Sequence, residues 1–427
     1  MKKIFLVSLG CPKNLVDSET LLALLGEKSC ALTDAVEEAD FLIVNTCGFL
    51  RDAVLESKET IRNLARQKRR GQKIIVCGCL VQRYGKKVLD ISGVDAIAGV
   101  GTPESVVSAV ETGRTEYPLP GRRSVGRNYP RLVSTYPYAY IKISEGCENF
   151  CSYCLIPEIR GPLASRRMQD ICEEARCLEK MGIRELILVA QDTAGYGKDL
   201  KDGTTLDRLL KRLAGLNFHW LRLMYLHPAH LTEKLLERIA AEPKICRYLD
   251  IPLQHVHPDI LKKMNRPVLD YGRIVDRIRA AVPGIRLRTT FMVGFPGETD
   301  MHFRIMEDFV REKEFDRLGV FRYSREEGTP AYSMPGQVPE KAKMERERML
   351  MELQRKISRR KLKKLRGTEM EILVEGRKGK YFTGRTEFDA PDIDGIVYVK
   401  TTKRLKTGDF RRVKITSSDD YDLFAEI

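Results

Sequence analysis

The sequence predicts an α/β multidomain chain: a doubly wound parallel sheet, then a partial (β/α)6 barrel, then a small antiparallel β-barrel. Three observations predict it. Strand-like runs alternate with helical stretches over residues 1–120, the pattern of a parallel sheet. Six further strand candidates, each followed by an amphipathic stretch, occupy 132–365. Residues 366–427 hold only short β-like segments between turn residues. A chain of 427 residues that is 43% hydrophobic can bury the cores of two or three such domains. No run approaches the ~18 apolar residues of a membrane span.

In the first domain, 1–120, the strand candidates are Lys3–Ser8, Phe41–Asn45 and Lys73–Cys77, with helical stretches such as Asp17 to Leu25 and Asp52 to Gln67 between them. Two lysines precede the first apolar run. No small-residue cleavage pattern follows, so the run reads as a core strand and not as a signal peptide. Right-handed crossovers bring the C-terminal ends of parallel strands to one edge, where open α/β sheets bind ligands. Each of these three ends carries a cysteine: Cys11, Cys47 and Cys79. Adjacent glycines let the backbone approach a bulky ligand closely. Three convergent thiols suggest an iron–sulfur cluster with one open iron; the alternative is three separate buried cysteines. Cys77 alternates to the other side of its strand and is assigned to the core, though a swap of roles with Cys79 stays open.

Residues 121–131, rich in Gly, Pro and Arg, read as an exposed linker. The six strand candidates of 132–365 are Tyr138–Ile143, Glu185–Ala190, Trp220–Leu226, Arg247–Pro252, Arg286–Val293 and Leu318–Tyr323. One intervening helix is expected to start at Ser165 as N-cap and to carry Met168, Ile171, Ala175, Leu178 and Met181 at helical spacing. Polar residues follow the strands where a barrel builds its site: Gln191-Asp192-Thr193, His227, Gln254-His255 and Gly294 to Thr299. Asp250 places a carboxylate inside a strand, which is costly unless it is hydrogen-bonded or faces a polar cavity. Glu298 is either a first-turn helix acid or a cofactor contact. Gln191, Asp250, Gly294 and Glu298 are the candidate cofactor-binding residues; no residue is assigned a catalytic role.

The first of these strands runs into Cys147-x3-Cys151-x2-Cys154. Three thiolates so close in sequence can hold three irons of a cubic cluster and leave the fourth without a protein ligand. Zinc would need a fourth ligand close by, and the loop has no His. Eleven cysteines without an export signal point to a reducing cytosol, where metal or catalytic use prevails over disulfides. Cys30, Cys172, Cys177 and Cys246 have no partner motif and read as small buried hydrophobes.

The Cys147–Cys154 loop resembles that of the radical S-adenosylmethionine (SAM) enzymes. Cys11, Cys47 and Cys79 match the motif of the methylthiotransferase family among them, and the resemblance covers essentially the whole chain. It implies a radical SAM barrel and two 4Fe-4S clusters, one on each thiol set. It further implies SAM bound at the open iron beside Cys147, Cys151 and Cys154 and cleaved there to a 5′-deoxyadenosyl radical. The auxiliary cluster would supply or carry the sulfur, and a second SAM would give the methyl group. Gln191-Asp192-Thr193 with Tyr196-Gly197, and Ser144-Glu-Gly-Cys147, are similar to the ribosomal-protein branch; the tRNA branch has Gln-Asn at the first position. That branch implies methylthiolation of an aspartate β-carbon in small-subunit ribosomal protein twelve, free or in the ribosome. It also implies an electron donor such as flavodoxin or ferredoxin, an unspecified sulfur donor, a cytoplasmic location and no membrane partner. The rival readings are a tRNA adenosine methylthiotransferase and a non-catalytic RNA-binding iron–sulfur protein. An open iron at each site argues against the latter, since structural metal sites are usually closed.

Lys341 to Arg366 reads as one long helix with twelve Lys/Arg against three acids, either a solvated face or a nucleic-acid contact. The β-like segments Met370–Val374, Tyr381–Arg385, Gly395–Val399 and Phe410–Thr416 resemble the TRAM domain, an OB-like module. The whole chain carries a formal charge of +15, which suggests an anionic partner, yet residues 368–427 hold twelve acids and eleven Lys/Arg. A module that grips phosphate should be basic. Asp389, Asp392 and Asp394 are therefore expected on an exposed loop that faces a basic protein.

Overall fold

The architecture is that of a computed structural model, which describes residues 1–100, 103–113, 129–133 and 136–427. The first sheet is five-stranded and parallel, in the order β2-β1-β3-β4-β5. Its strands are β1 (Lys3–Ser8), β2 (Ala31–Leu32), β3 (Phe41–Thr46), β4 (Lys73–Gly78) and β5 (Val94–Ala98). Helices α1 (Pro12–Glu27) and α4 (Pro103–Thr112) cover one face, where Leu21, Leu25 and Val106 pack on Ile43 and Ile75. On the other face, α2 (Arg51–Gln67) and α3 (Cys79–Tyr84) bring Ile61, Leu64 and Leu80 against Leu42 and Val76. Burial on both faces explains why β3 and β4 read as unbroken apolar runs. The two strands not predicted lie at the edges. β2 is two residues long, and β5 contains Asp95, whose carboxylate accepts from the Ile74 amide.

The second sheet has six parallel strands in the order β13-β12-β11-β10-β9-β6. They are β6 (Tyr138–Lys142), β9 (Glu185–Val189), β10 (Trp220–Leu223), β11 (Ile245–Asp250), β12 (Arg286–Val293) and β13 (Arg317–Arg322). Each strand pairs with the one before it, and β6 and β13 do not meet, so the barrel is open as expected. A short antiparallel pair, β7 (Ser144–Glu145) and β8 (Ala164–Ser165), flanks the thiol loop together with α5 (Ile156–Arg160). The outer layer is α6 (Met168–Lys180), α7 (Leu206–Ala214), α8 (Glu233–Ala241), α9 (Pro258–Lys263), α10 (Tyr271–Ala281) and α11 (Asp300–Lys313). Leu209, Leu213, Leu236 and Ile278 carry its apolar stripes onto the strands. Ser165 is not the expected N-cap. Its backbone pairs with Ser144, and α6 starts after Arg167. β10 ends at Leu223, short of the expected Leu226, because Tyr225 takes φ +60° and leaves the strand.

The helix α12 (Glu340–Lys363) leads to a closed barrel of β14 (Glu369–Lys378), β15 (Tyr381–Arg385), β16 (Val397–Lys400), β17 (Phe410–Ser418) and β18 (Leu423–Glu426). The last strand, not predicted, closes the barrel by pairing parallel with β16. The basic helix is not one uniform solvated face. Lys343 and Arg346 are buried, Lys361 pairs with Asp316 at 2.7 Å, and Arg360 pairs with Glu314.

The acidic loop overturns the expectation of an exposed docking surface. Asp389 is buried and ion-paired with Arg317, and Asp394 accepts from Arg288 at 2.8 Å and from the Tyr248 hydroxyl at 2.7 Å. Only Asp392 of the three faces solvent. The loop fits against the inner face of the open barrel, where Ala390 and Leu373 meet Tyr138, Tyr140 and Tyr248. Beside it Arg385 and Arg222 share the fully buried Glu185. The linker expected at 121–131 lies outside the described residues as far as 128. Arg131, at its end, is buried against Glu19 and Glu174, contrary to an exposed linker.

Candidate active site between two thiol sets

The N-terminal thiols come from three consecutive strand-end turns. Gly10 has φ +92°, and a Cβ there would stand 3.0 Å from the Cys47 Cβ. A Cβ at Gly48 would stand 2.6 Å from the Cys79 carbonyl oxygen. Glycine is therefore what lets these turns close on one another. Asn14, in the first turn of α1, ties the turns together: its amide donates to the carbonyls of Leu9 at 2.9 Å and Thr46 at 3.0 Å. Burial raises the thiols of Cys47 and Cys79, and each also feels its neighbours in the set. Burial acts on Cys11 too, but Lys13, Arg160 and two backbone N–H groups outweigh it and hold that thiol below its ordinary value. Cys77 points into the apolar core, where burial pushes its thiol up to about 12; Cys79 is the residue that joins Cys11 and Cys47.

The second set sits on the loop after β7. Gly146 has φ +74°, and a Cβ would meet the Pro162 carbonyl oxygen at 1.9 Å. The Cys147 amide donates to the Gly161 carbonyl at 3.1 Å, and the Ser152 amide to that of Met264 at 2.9 Å, so the loop is fixed at both ends. Burial, with Cys151 alongside, pushes Cys147 up to about 11, and burial with Cys151 and Cys147 pushes Cys154 up to about 12. Metal binding to either set releases protons, because the ligand is the thiolate. Cys172 and Cys246 are buried as expected and Cys30 partly so, whereas Cys177 is exposed on the outer face of α6.

Arg160, at the end of α5, reaches from the barrel to the first thiol set, and sequence reasoning missed it. It is buried, and one Nη lies 3.1 Å from the Cys79 Sγ and also donates to Asn14 Oδ1. Its other Nη donates to Asp17 at 3.0 Å and Glu145 at 3.2 Å. Arg266, equally unmarked in sequence, has an Nη 3.8 Å from the Cys151 Sγ.

The four candidate cofactor residues all lie at the C-terminal ends of the barrel strands. Gln191 donates to Glu145 at 2.6 Å. Asp250 accepts from the Tyr225 amide at 3.3 Å, and burial raises its carboxyl to about 6. Gly294 and Glu298 are engaged by α12: a Cβ at Gly294 would meet the Lys343 Cγ at 2.2 Å, and Glu298 accepts from Arg346 at 2.7 Å and from the Gly294 amide at 3.0 Å. Glu298 precedes the N-cap Thr299, so it is not a first-turn acid. His227 accepts from the Ala229 amide through Nδ1, which leaves the proton on Nε2; burial first, then Arg266, pushes this histidine down to about 3.

Several buried polar atoms at this edge lack a close hydrogen-bond partner: Gln191 Oε1 and His227 Nε2 face none, Asp250 Oδ1 has only the Arg288 Nε at 3.8 Å, and His255 Nε2 and Glu298 Oε2 face each other at 3.6 Å. Each costs free energy unless a ligand satisfies it. Donors and acceptors both occur, as a zwitterionic ligand needs. The thiol sets and this polar rim together fit iron–sulfur clusters beside SAM.

Known proteins match along the whole chain. Residues 3–99 match the family described as "Uncharacterized protein family UPF0004", residues 141–310 the radical SAM superfamily and residues 367–427 the TRAM domain. The ribosomal protein uS12 methylthiotransferase RimO of Pelotomaculum thermopropionicum is 48% identical, over 99% of each chain. That of Desulforamulus reducens is 46% identical over 100% of each. Among solved structures, the radical S-adenosylmethionine methyltransferase TsrM of Kitasatospora setae, with cobalamin and a 4Fe-4S cluster bound, aligns with a TM-score of 0.60. It covers 78% of this chain and 77% of that one at 16% identity, a likeness of fold alone.

Proposed function

The chain belongs to the RimO family of ribosomal protein uS12 methylthiotransferases, and from that premise we propose that it adds a methylthio group to the β-carbon of an aspartate in uS12. The observation that carries this reading is identity of 48% over the full length, not over one domain. We assign Cys147, Cys151 and Cys154 to a 4Fe-4S cluster that binds SAM, and Cys11, Cys47 and Cys79 to a second, auxiliary cluster. When bound, these groups supply reductive SAM cleavage, hydrogen abstraction and sulfur delivery. The protein supplies position and exclusion of water.

That work falls to named residues. Gln191 is held by Glu145, and Glu145 by Lys142 at 2.7 Å, so the polar rim beside the thiol loop is rigid. His227 keeps its proton on Nε2 as a neutral donor toward the ligand. Asp250, Glu298 and Gln191 offer acceptors to an ammonium group. The loop 386–394 and α1 pack on the inner face of the barrel. An electron donor such as flavodoxin or ferredoxin and a separate sulfur donor complete the reaction. Action on a ribosomal protein places the enzyme in the cytoplasm, and among the described residues no helix is long and apolar enough to cross a membrane.

Incubation of the reconstituted, reduced protein with SAM and purified uS12 tests the reading by mass spectrometry. The expected product is uS12 with one aspartate methylthiolated. Unchanged uS12 together with methylthiolated tRNA would overturn it in favour of the tRNA branch.

A further inference from the structure

We propose that Lys13 binds the side-chain carboxylate of the substrate aspartate and so determines which residue is modified. This deepens the uS12 reading and rests on it. Lys13 follows Cys11 by two positions, yet its ammonium reaches over to the barrel. Nζ lies 3.4 Å from the Ala190 carbonyl oxygen, at the end of β9, and 4.1 Å from the centre of the Tyr225 ring, beyond the end of β10. It therefore stands above the strand ends, where the first domain meets the barrel.

The neighbouring cations are already neutralised. Lys142 pairs with Asp17 and Glu145, Arg160 with the same two carboxylates, and Arg288 with Asp394. Among the described residues, no carboxylate lies within the 4.0 Å of an ion pair from Lys13. The Cys11 thiol and the Asp250 carboxyl feel its charge without closing an ion pair, and a carbonyl and a π face satisfy an ammonium only in part, which leaves room for an anionic ligand.

Tyr225 gives independent support. It is a non-glycine residue at φ +60°, a strained conformation, held by its amide on Asp250 and its carbonyl on the Thr193 amide at 3.0 Å. Strain of this kind persists where the surroundings over-determine it, and it concentrates at ligand sites. Here it presents the ring to the ammonium. A protein substrate has to place its β-carbon between the two thiol sets, and its carboxylate is one bond from that carbon. An ammonium at this point fixes the reacting carbon through its neighbour and leaves the carbon itself uncovered.

The test uses the full-length reconstituted enzyme with SAM present and two forms of uS12, one with the target aspartate and one with Asp→Asn at that position. The parent enzyme should prefer the aspartate form roughly ten- to a hundredfold in Kd, as for a hydrogen bond to a charged group. Lys13→Met should bind both forms equally, and Lys13→Arg should keep most of the preference. A SAM titration of each variant separates the substrate carboxylate from that of SAM. Full preference retained by Lys13→Met, or a loss confined to SAM affinity, overturns the inference while leaving the uS12 reading intact. Failure of the parent enzyme to bind either form of uS12 overturns both.

Discussion

At the scale of single residues, Asp250 gives a pH signature of its own. Its carboxyl is fully buried and its value raised from 3.8 to about 6, chiefly by desolvation that Arg288 only partly offsets. The folded chain thus holds this proton more tightly than the unfolded chain does. The carboxyl carries no penalty below pH ~4, and the penalty develops as pH rises through about 6. Asp250→Asn keeps a hydrogen-bond acceptor for the Tyr225 amide and removes the titration. It should gain stability relative to the parent between pH 4.5 and pH 7.5, on the order of 2–3 kcal/mol. Urea midpoints of the two apoproteins at those pH values measure this. A difference that is constant, or that shrinks with pH, would show that Asp250 is not held in a desolvated site.

At the scale of elements, the loop 386–394 shows why charge counts on a turn do not locate a surface. Three aspartates close together in sequence resemble a solvated acidic patch. In the fold, Asp389 and Asp394 compensate Arg317 and Arg288, which the strands β13 and β12 project into the barrel interior. Removing one partner of such a pair leaves the other charge buried and uncompensated, at about 3–5 kcal/mol. Asp389→Ala should therefore lower the denaturation midpoint clearly, whereas Asp392→Asn, at an exposed position, should change stability by no more than ~0.5 kcal/mol. Equal, small effects of the two substitutions would contradict the buried pairing. The same logic applies to α12: its basic run looks like a nucleic-acid face, but Arg346 spans Glu298 at 2.7 Å and Asp300 at 2.8 Å, clamping the loop after β12.

At the scale of the whole molecule, the first domain and the barrel meet through Arg160. A variant with Cys147, Cys151 and Cys154 all changed to Ala should retain about half the iron of the parent, on the auxiliary thiols alone. Hydrogen bonds to sulfur and nearby charge set cluster potentials. Adding Arg160→Met removes both a donor to Cys79 and a positive charge, so the midpoint potential of the remaining cluster should become more negative. Arg160→Lys should fall between, since it keeps the charge and loses the forked contact. Redox titration followed by electron paramagnetic resonance reads the shift. The same potential in all three proteins, with iron content unchanged, would reduce Arg160 to a purely structural link.

What the sequence determined by itself is whatever is written in local spacing and periodicity. The C-x3-C-x2-C loop, the apolar runs β3 and β4, and the six strand and helix units all depend on residues near one another in the chain, so composition and period suffice. Convergence of Cys11, Cys47 and Cys79 was also legible, because right-handed βαβ crossovers leave parallel strand ends at one edge. The tertiary structure alone decided the pairings between distant residues: Arg160 with Cys79, Lys13 over Tyr225, and Asp389 and Asp394 inside the barrel. A charged side chain has the same sequence signature whether it meets water or a buried counter-charge. Only the path of the backbone decides which, by setting what stands opposite it and how much water remains between them.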